Sequence, residues 1–194
     1  MNQAEMINIP EVYGKLLEKS SEIGFTMPSD VYIGSLLKTL VASKPNGNFL
    51  ELGTGIGLSL SWMVDGMDAT STLTTLDNDA ELVEIAKSYF GGDKRVTISC
   101  AEGGSWLEEY KGEKFDLVFA DAWPGKYSHL ELMLEQLKPG GFYIVDDMKQ
   151  QPNWPDGHGK KVLELIRYLE GRNDMELTKM DWSTGIVIAV KTIN

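Results

Sequence analysis

The sequence predicts an α/β protein with a doubly wound, mostly parallel seven-stranded sheet that closes in an antiparallel C-terminal hairpin. Three observations carry this expectation. Short apolar strands alternate with amphipathic helical patterns through most of the chain. A glycine-rich turn, "ELGTGIG", follows the first strand. Two strands, "FDLVFADA" and "FYIVDD", are near-continuous apolar runs, the pattern of strands buried on both faces.

Two helical patterns come first. "PEVYGKLLEKSSEIG" is weak, whereas "SDVYIGSLLKTLVAS" has Ser29 as N-cap and Val31, Leu36, Leu37, Leu40 and Val41 along one stripe. "KPNGN" ends it. "NFLELG" then reads as a strand, "GLSLSWMVDGM" as a helix and "STLTTLD" as a strand. "NDAELVEIAKSYF" is a helix with acids in its first turn, where the helix dipole favours them. "RVTISCAE" is a strand and "SWLEEYKG" a short helix. After "FDLVFADA", a helix over "YSHLELMLEQLKPGG" is expected to stop at Pro139–Gly140–Gly141. "FYIVDD" is followed by the helix "GKKVLELIRYLEGR" and the strands "MELTKMDW" and "GIVIAVKT". Only Ser183 and Thr184 separate these last two, which predicts the antiparallel hairpin. A single domain over residues 1–194 is expected, with N-terminal helices in 1–45 and the α/β core in 46–194.

Bulk properties narrow the function classes. The net charge of −11 argues against a broad nucleic-acid footprint, despite local clusters such as Lys160–Lys161. No apolar run reaches the roughly 18 residues of a membrane span. The N-terminus lacks the basic start and apolar core of a signal peptide. The single cysteine, Cys100, suits a strand end and a reducing compartment, so a cytoplasmic protein is expected.

In doubly wound sheets the ligand sits beyond the carboxyl ends of the strands. The residues there are Glu51–Gly57, Asp77, Ala101–Glu102, Asp121 and Asp146–Asp147. Gly53, Gly55 and Gly57 let the backbone turn tightly against a ligand. The dinucleotide fingerprint needs a further glycine where Leu58 stands, so that reading fails. Asp77, at the end of the next strand, can accept both hydroxyls of a ribose, or it can cap the following helix. Glu51 ahead of the loop disfavours a pyrophosphate and favours an ammonium group. A nucleoside with an amino-acid tail, S-adenosylmethionine, meets these demands, its α-ammonium near Glu51 or Asp121. Asp121, Asp146 and Asp147 are oxygen donors of the kind that hold a hard cation, Mg²⁺ before Mn²⁺ or Ca²⁺.

"ELGTGIG", "FDLVFADA…Y" and "LKPGGFYIVDD" together resemble the class I S-adenosylmethionine-dependent methyltransferases. More narrowly, they resemble the cation-dependent family of catechol and caffeoyl-CoA O-methyltransferases. The resemblance runs from about Met27 to the C-terminus. It implies that Gly53, Gly55 and Gly57 line the methionine part of the cofactor, with Ser59 near its carboxylate. Asp77 and Asn78 would meet the ribose, and Glu102 and Gly103 the adenine. Met27 would close over the cofactor, or else serve as a core methionine. Asp121, Asp146 and Asp147 would hold the divalent cation, and the acceptor would be a small, hydroxylated, aromatic molecule. A homodimer is also implied. Two positions depart from the family pattern: Pro124 stands where a catalytic lysine is expected, leaving Lys126 as its substitute, and Asp147 stands in place of an asparagine. A metal-independent methyltransferase acting on a small molecule or RNA, and a binding protein without transfer activity, are the alternatives. Trp123 and the loop carrying Pro152, Trp154 and Pro155 flank the expected acceptor pocket. His158 is read as structural or solvent-exposed and His129 as lying inside a helix, so a Ser–His–Asp hydrolase has no support.

Overall fold

A computed structural model describes residues 8–151 and 154–193, so Pro152 lies outside the described residues. Two helices, α1 (Glu11–Ile23) and α2 (Val31–Ala42), precede the sheet. The strands are β1 (Asn48–Leu52), β2 (Thr72–Asp77), β3 (Val96–Cys100), β4 (Phe115–Ala120), β5 (Leu137–Val145), β6 (Met175–Met180) and β7 (Ile186–Lys191). The remaining helices are α3 (Leu58–Gly66), α4 (Ala80–Phe90), α5 (Gly103–Glu109), α6 (Leu130–Glu135) and α7 (His158–Glu170). The sheet order is β3-β2-β1-β4-β5-β7-β6. The β1–β5 pairings are parallel, and β7 runs antiparallel to both β5 and β6.

Alternation along the central strands divides the core between the two faces of the sheet. Phe49, Leu117 and Phe119 face one apolar cluster, with Leu16 of α1, Leu37 of α2 and Trp62 of α3. Leu50, Leu52, Val118 and Ala120 face the other, with Met133 of α6 and Leu165 and Leu169 of α7. The N-terminal helices therefore share a core with the sheet. Gly34 lets α2 approach α3 closely: a Cβ there would lie 2.4 Å from Trp62 Nε1.

Four local expectations are corrected. Pro139–Gly140–Gly141 does not stop a helix. The helix α6 ends at Glu135, and β5 begins two residues on, pairing Leu137 with Phe115. A register shift before the Leu117–Phe142 pair absorbs the proline and the positive-φ Gly140, so the strand passes through them as an irregularity. The cap of α2 is Asp30 instead of Ser29, its carboxylate accepting from the N–H groups of Tyr32 and Ile33. The final hairpin turns over residues 181–185, with Ser183 and Gly185 at positive φ, which is longer than the two residues expected. His129 precedes α6 in a left-handed conformation instead of lying within it.

Because β1 has β2 on one side and β4 on the other, the chain reverses direction across the sheet between them. That switch point opens a crevice at the carboxyl ends of β1 and β4, where the candidate residues converge.

Candidate active site

A cleft of about 540 Å³ occupies the crevice. At one end the backbone does most of the shaping. Gly53 adopts φ 103°, and a Cβ there would stand 2.8 Å from Asp121 O. The N–H groups of Gly53 and Thr54 both donate to Leu76 O, at 2.9 and 3.1 Å, which ties the loop to the end of β2. The Gly55 N–H donates to Asp77 Oδ2 at 2.8 Å, and the Asp79 N–H donates to Asp77 Oδ1 at 3.0 Å. Asp79, not Asp77, caps α4 through the N–H groups of Glu81 and Leu82. Asp77 is thereby oriented at the cleft wall with lone pairs to spare, since a carboxylate can accept about four hydrogen bonds.

Glu51 lies elsewhere than expected. It is fully buried beneath the loop and is not among the residues lining the cleft. Ser59 Oγ and Thr75 Oγ1 each donate to one of its oxygens at 2.5 Å. Burial pushes its carboxyl up to about 7; these two hydroxyls oppose the rise and Asp77 adds to it. Strand alternation accounts for the placement, because at position 51 the side chain turns to the face where Thr75 of β2 and Ser59 of α3 meet it.

A second depression of about 330 Å³ adjoins the loop and is lined by Asp77, Asn78, Glu102, Gly103 and Pro124, among others. Glu102 caps α5, accepting from the N–H groups of Gly104 and Ser105 at 2.9 and 2.7 Å. Those bonds, Ser105 first, hold its carboxyl below the ordinary range. Met27 lies on the cleft and is 68% exposed, so it is not a core methionine.

At the other end of the cleft, side chains dominate. Asp121 follows β4, its N–H donating to Leu52 O at 2.9 Å. Burial, then the neighbouring Asp146, push its carboxyl well above the ordinary range. Asp146 is pushed up to about 6 by burial, opposed by hydrogen bonds to Oδ1 from Thr184 Oγ1 and, at 2.7 Å, from the Asp147 N–H. Asp147 turns the chain with φ 55°. Lys126 is only 5% exposed, and its ammonium donates to the backbone carbonyl of Asp146 at 2.5 Å.

Beside these residues stands an aromatic box. The His158 ring lies edge-on to Trp123 and Tyr127, with centroids 5.9 and 5.2 Å away, and 4.6 Å from Trp154. Its Nε2 is 3.3 Å from Tyr127 Oη, while Nδ1 is buried without a hydrogen-bond partner among the described residues. Burial first, then the charge of Lys126, lower its pKa. Its position as the first residue of α7 also disfavours the imidazolium. These effects favour the neutral imidazole, the form able to take a proton. Sequence reading passed over it because a histidine between two glycines resembles an exposed turn. The available signal was its place at a helix start beside Trp154.

A family model described as O-methyltransferase matches residues 14–191. The chain belongs to the O-methyltransferase family. A family relative from Mycolicibacterium vanbaalenii, provisionally named an O-methyltransferase, is 31% identical over 151 residues, covering 75% of this chain and 66% of its own length. Another, from Mycobacterium leprae, is 34% identical over 111 residues, covering 55% of this chain and 49% of its own length. The chain thus aligns with about half of the length of the latter. A crystal structure from Klebsiella pneumoniae, also provisionally named an O-methyltransferase, superposes with a TM-score of 0.85 at 25% identity, over 98% of this chain and 94% of that one. An O-methyltransferase from Bacillus cereus, solved with S-adenosylhomocysteine, has the same fold, with a TM-score of 0.85 at 20% identity over 98% and 96% of the two chains.

Against this O-methyltransferase background, the carboxylates at the ends of β4 and β5 depart from the cation site that the sequence suggested. Asp121, Asp146 and Asp147 line one cleft, yet no group of three or more His, Cys, Asp or Glu side chains is arranged to hold a metal ion among the described residues. Asp146 Oδ1 is already engaged twice, and the buried Lys126 ammonium donates to the backbone carbonyl of the same residue. The donor set does not fit a divalent cation, which needs several oxygens converging on one point.

Proposed function

We propose that this chain transfers the methyl group of S-adenosylmethionine to a hydroxyl oxygen of a small aromatic acceptor. One observation carries the reading: a single cleft joins a nucleoside-type cradle, Asp77 with the glycine loop, to an aromatic box that holds the His158 imidazole. Family membership supports the same chemistry.

Asp77 would accept from the ribose hydroxyls, and Gly53, Gly55 and Gly57 would let the loop backbone lie against the methionine part beside Ser59. Met27 would cover the cofactor from the exposed rim. Asn78, Glu102 and Gly103 line the depression suited to the adenine. Asp121, at the join of the two ends, would face the α-ammonium. When bound, S-adenosylmethionine supplies a sulfonium methyl group: the acceptor oxygen forms the new bond to carbon as the carbon–sulfur bond breaks, its electron pair staying on sulfur. The chain's part is to align and to deprotonate. Trp123 and Trp154 clamp a flat acceptor, and holding the reactants in line supplies much of the rate. His158 takes the hydroxyl proton at Nε2, directly or across Tyr127 Oη. A divalent cation has no step in this scheme, because the carboxylates at β4 and β5 do not offer it a fitting donor set.

The test is calorimetry with S-adenosylhomocysteine, combined with radiolabelled methyl transfer to a panel of catechols and phenols. The expected result is saturable binding, weakened about tenfold to a hundredfold by Asp77→Ala as hydrogen bonds to a charged group are lost, with label appearing on a hydroxyl oxygen. Absence of S-adenosylhomocysteine binding would defeat the proposal. Binding without transfer to any hydroxylated aromatic would favour the non-catalytic alternative.

A further inference from the structure

Lys126 is the feature of the cleft that the scheme above leaves unused. Six aspartates line the cleft, at 30, 77, 79, 121, 146 and 147, and Lys126 is the one lysine or arginine on its wall among the described residues. A lysine near a surface normally extends its ammonium into water. This one is withdrawn to 5% exposure and bonded at 2.5 Å to the Asp146 carbonyl, where β5 ends. The loop after β4 imposes that direction. Gly125, at φ 79°, donates to Ser128 O at 2.7 Å, and the Tyr127 N–H donates to Trp123 O at 2.8 Å. This tight turn aims the side chain of residue 126 inward, across the face of the Tyr127 ring, 5.3 Å from its centroid.

A buried ammonium persists only where surrounding charge and hydrogen bonds compensate its lost hydration. The Asp146 carbonyl supplies the hydrogen bond, and the ammonium's charge acts on Asp121 and Asp146. Each is a buried carboxyl whose ionised form a nearby cation favours against the effect of burial. Asp146 meanwhile presents its carbonyl to the ammonium and turns Oδ1 to Thr184 and the Asp147 N–H.

We infer that the Lys126 ammonium is the resident cation of the acceptor end, occupying the anionic corner of Asp121, Asp146 and Asp147 and excluding a divalent ion from it. Lys126 is then a positioning residue and not the proton acceptor. It ties the end of β5 to the loop after β4 through the Asp146 carbonyl, and its ammonium lies on the cleft wall. A divalent ion could enter only by displacing an ammonium that the turn at Gly125 holds in place. The inference deepens the methyl-transfer reading and rests on it for the identity of the acceptor. It concerns a charge balance that can be measured without turnover.

The experiment is Mn²⁺ titration of the full chain followed by electron paramagnetic resonance, with S-adenosylhomocysteine present. Wild type should leave the Mn²⁺ free in solution. Lys126→Gln keeps an N–H donor for the Asp146 carbonyl but removes the charge, so it should gain one Mn²⁺ site, with affinity raised about tenfold or more. Uptake of one Mn²⁺ per chain by wild type would overturn the inference, and so would a folded Lys126→Gln chain that binds Mn²⁺ no better than wild type. Lys126→Met serves as a second neutral variant; should neither fold, the wild-type titration decides alone. Calorimetry with S-adenosylhomocysteine on the same samples keeps the two claims apart: failure to bind it strikes at the methyltransferase reading, whereas the Mn²⁺ result judges only Lys126.

Discussion

The two ends of the cleft are made of different material. At the glycine loop the shaping groups are backbone: positive-φ glycines, N–H groups tied to Leu76 O, and one carboxylate oriented by two further N–H groups. At the ends of β4 and β5 they are side chains, namely Asp121, Lys126, Tyr127, Asp146 and His158, whose positions depend on two loops. A backbone cradle can be altered only by changing the turn that forms it. A side-chain site can change its chemistry through one substitution while the sheet beneath it stays the same.

The sharpest way to break this comparison is at His158. If the ends are functionally separate, His158→Gln should lower kcat by about a hundredfold or more, within the usual range for a lost general base. Affinity for S-adenosylhomocysteine, measured by calorimetry, should stay near that of wild type. A loss of cofactor affinity equal to the loss in rate would show the aromatic box to be part of the cofactor cradle, and the division would fail.

The next largest effect concerns Glu51, the buried acid beneath the backbone end. Its carboxyl is pushed from an ordinary 4.5 up to about 7, chiefly by burial. Below 4.5 both folded and unfolded chains are protonated there. Between 4.5 and about 7 the unfolded chain has lost the proton and the folded chain still holds it, so stability falls as pH rises through that window and is level above it. The full loss is about 3 kcal/mol at most. Glu51→Gln can still exchange hydrogen bonds with Ser59 and Thr75 but cannot ionise. Thermal melts should show the variant gaining on wild type between pH 4.5 and 7, with a constant advantage above. A difference independent of pH would mean that Glu51 ionises freely in the folded chain. Asp121 and Asp146 also titrate high, but they are common to both proteins and cancel in the difference.

The same contrast explains what could be read in the sequence. The seven strands, their order of appearance and the strand-end residues followed from apolar alternation and glycine spacing, because both are local rules. The glycine loop and Asp77 were legible for the same reason. What escaped was set by tertiary context. Alternation alone put Glu51 on the face it takes, but that this face is closed over it by Ser59 and Thr75, leaving it off the cleft, depended on other elements. Lys126 depended on a turn at Gly125 that folds it inward, and His158 on a helix start carried to the cleft beside Tyr127, 31 positions away. Pro139–Gly140–Gly141 misled because helix-stop signals and strand bulges use the same residues.

The smallest effect is expected at Glu102, where the two kinds of construction meet. The resemblance assigns it to the adenine amino group, a side-chain role at the backbone end. Its carboxylate already accepts from the Gly104 and Ser105 N–H groups, one on each oxygen, and so it is committed first to starting α5. A ligand can use only the lone pairs that remain. Glu102→Gln keeps one acceptor oxygen for the cap, and it should weaken S-adenosylhomocysteine binding only a few-fold, less than Asp77→Ala. If calorimetry instead shows the Glu102 variant to be as impaired as the Asp77 variant, the adenine depression relies on a side chain as heavily as the acceptor end does. The boundary between the two kinds of site would then fall at the ribose.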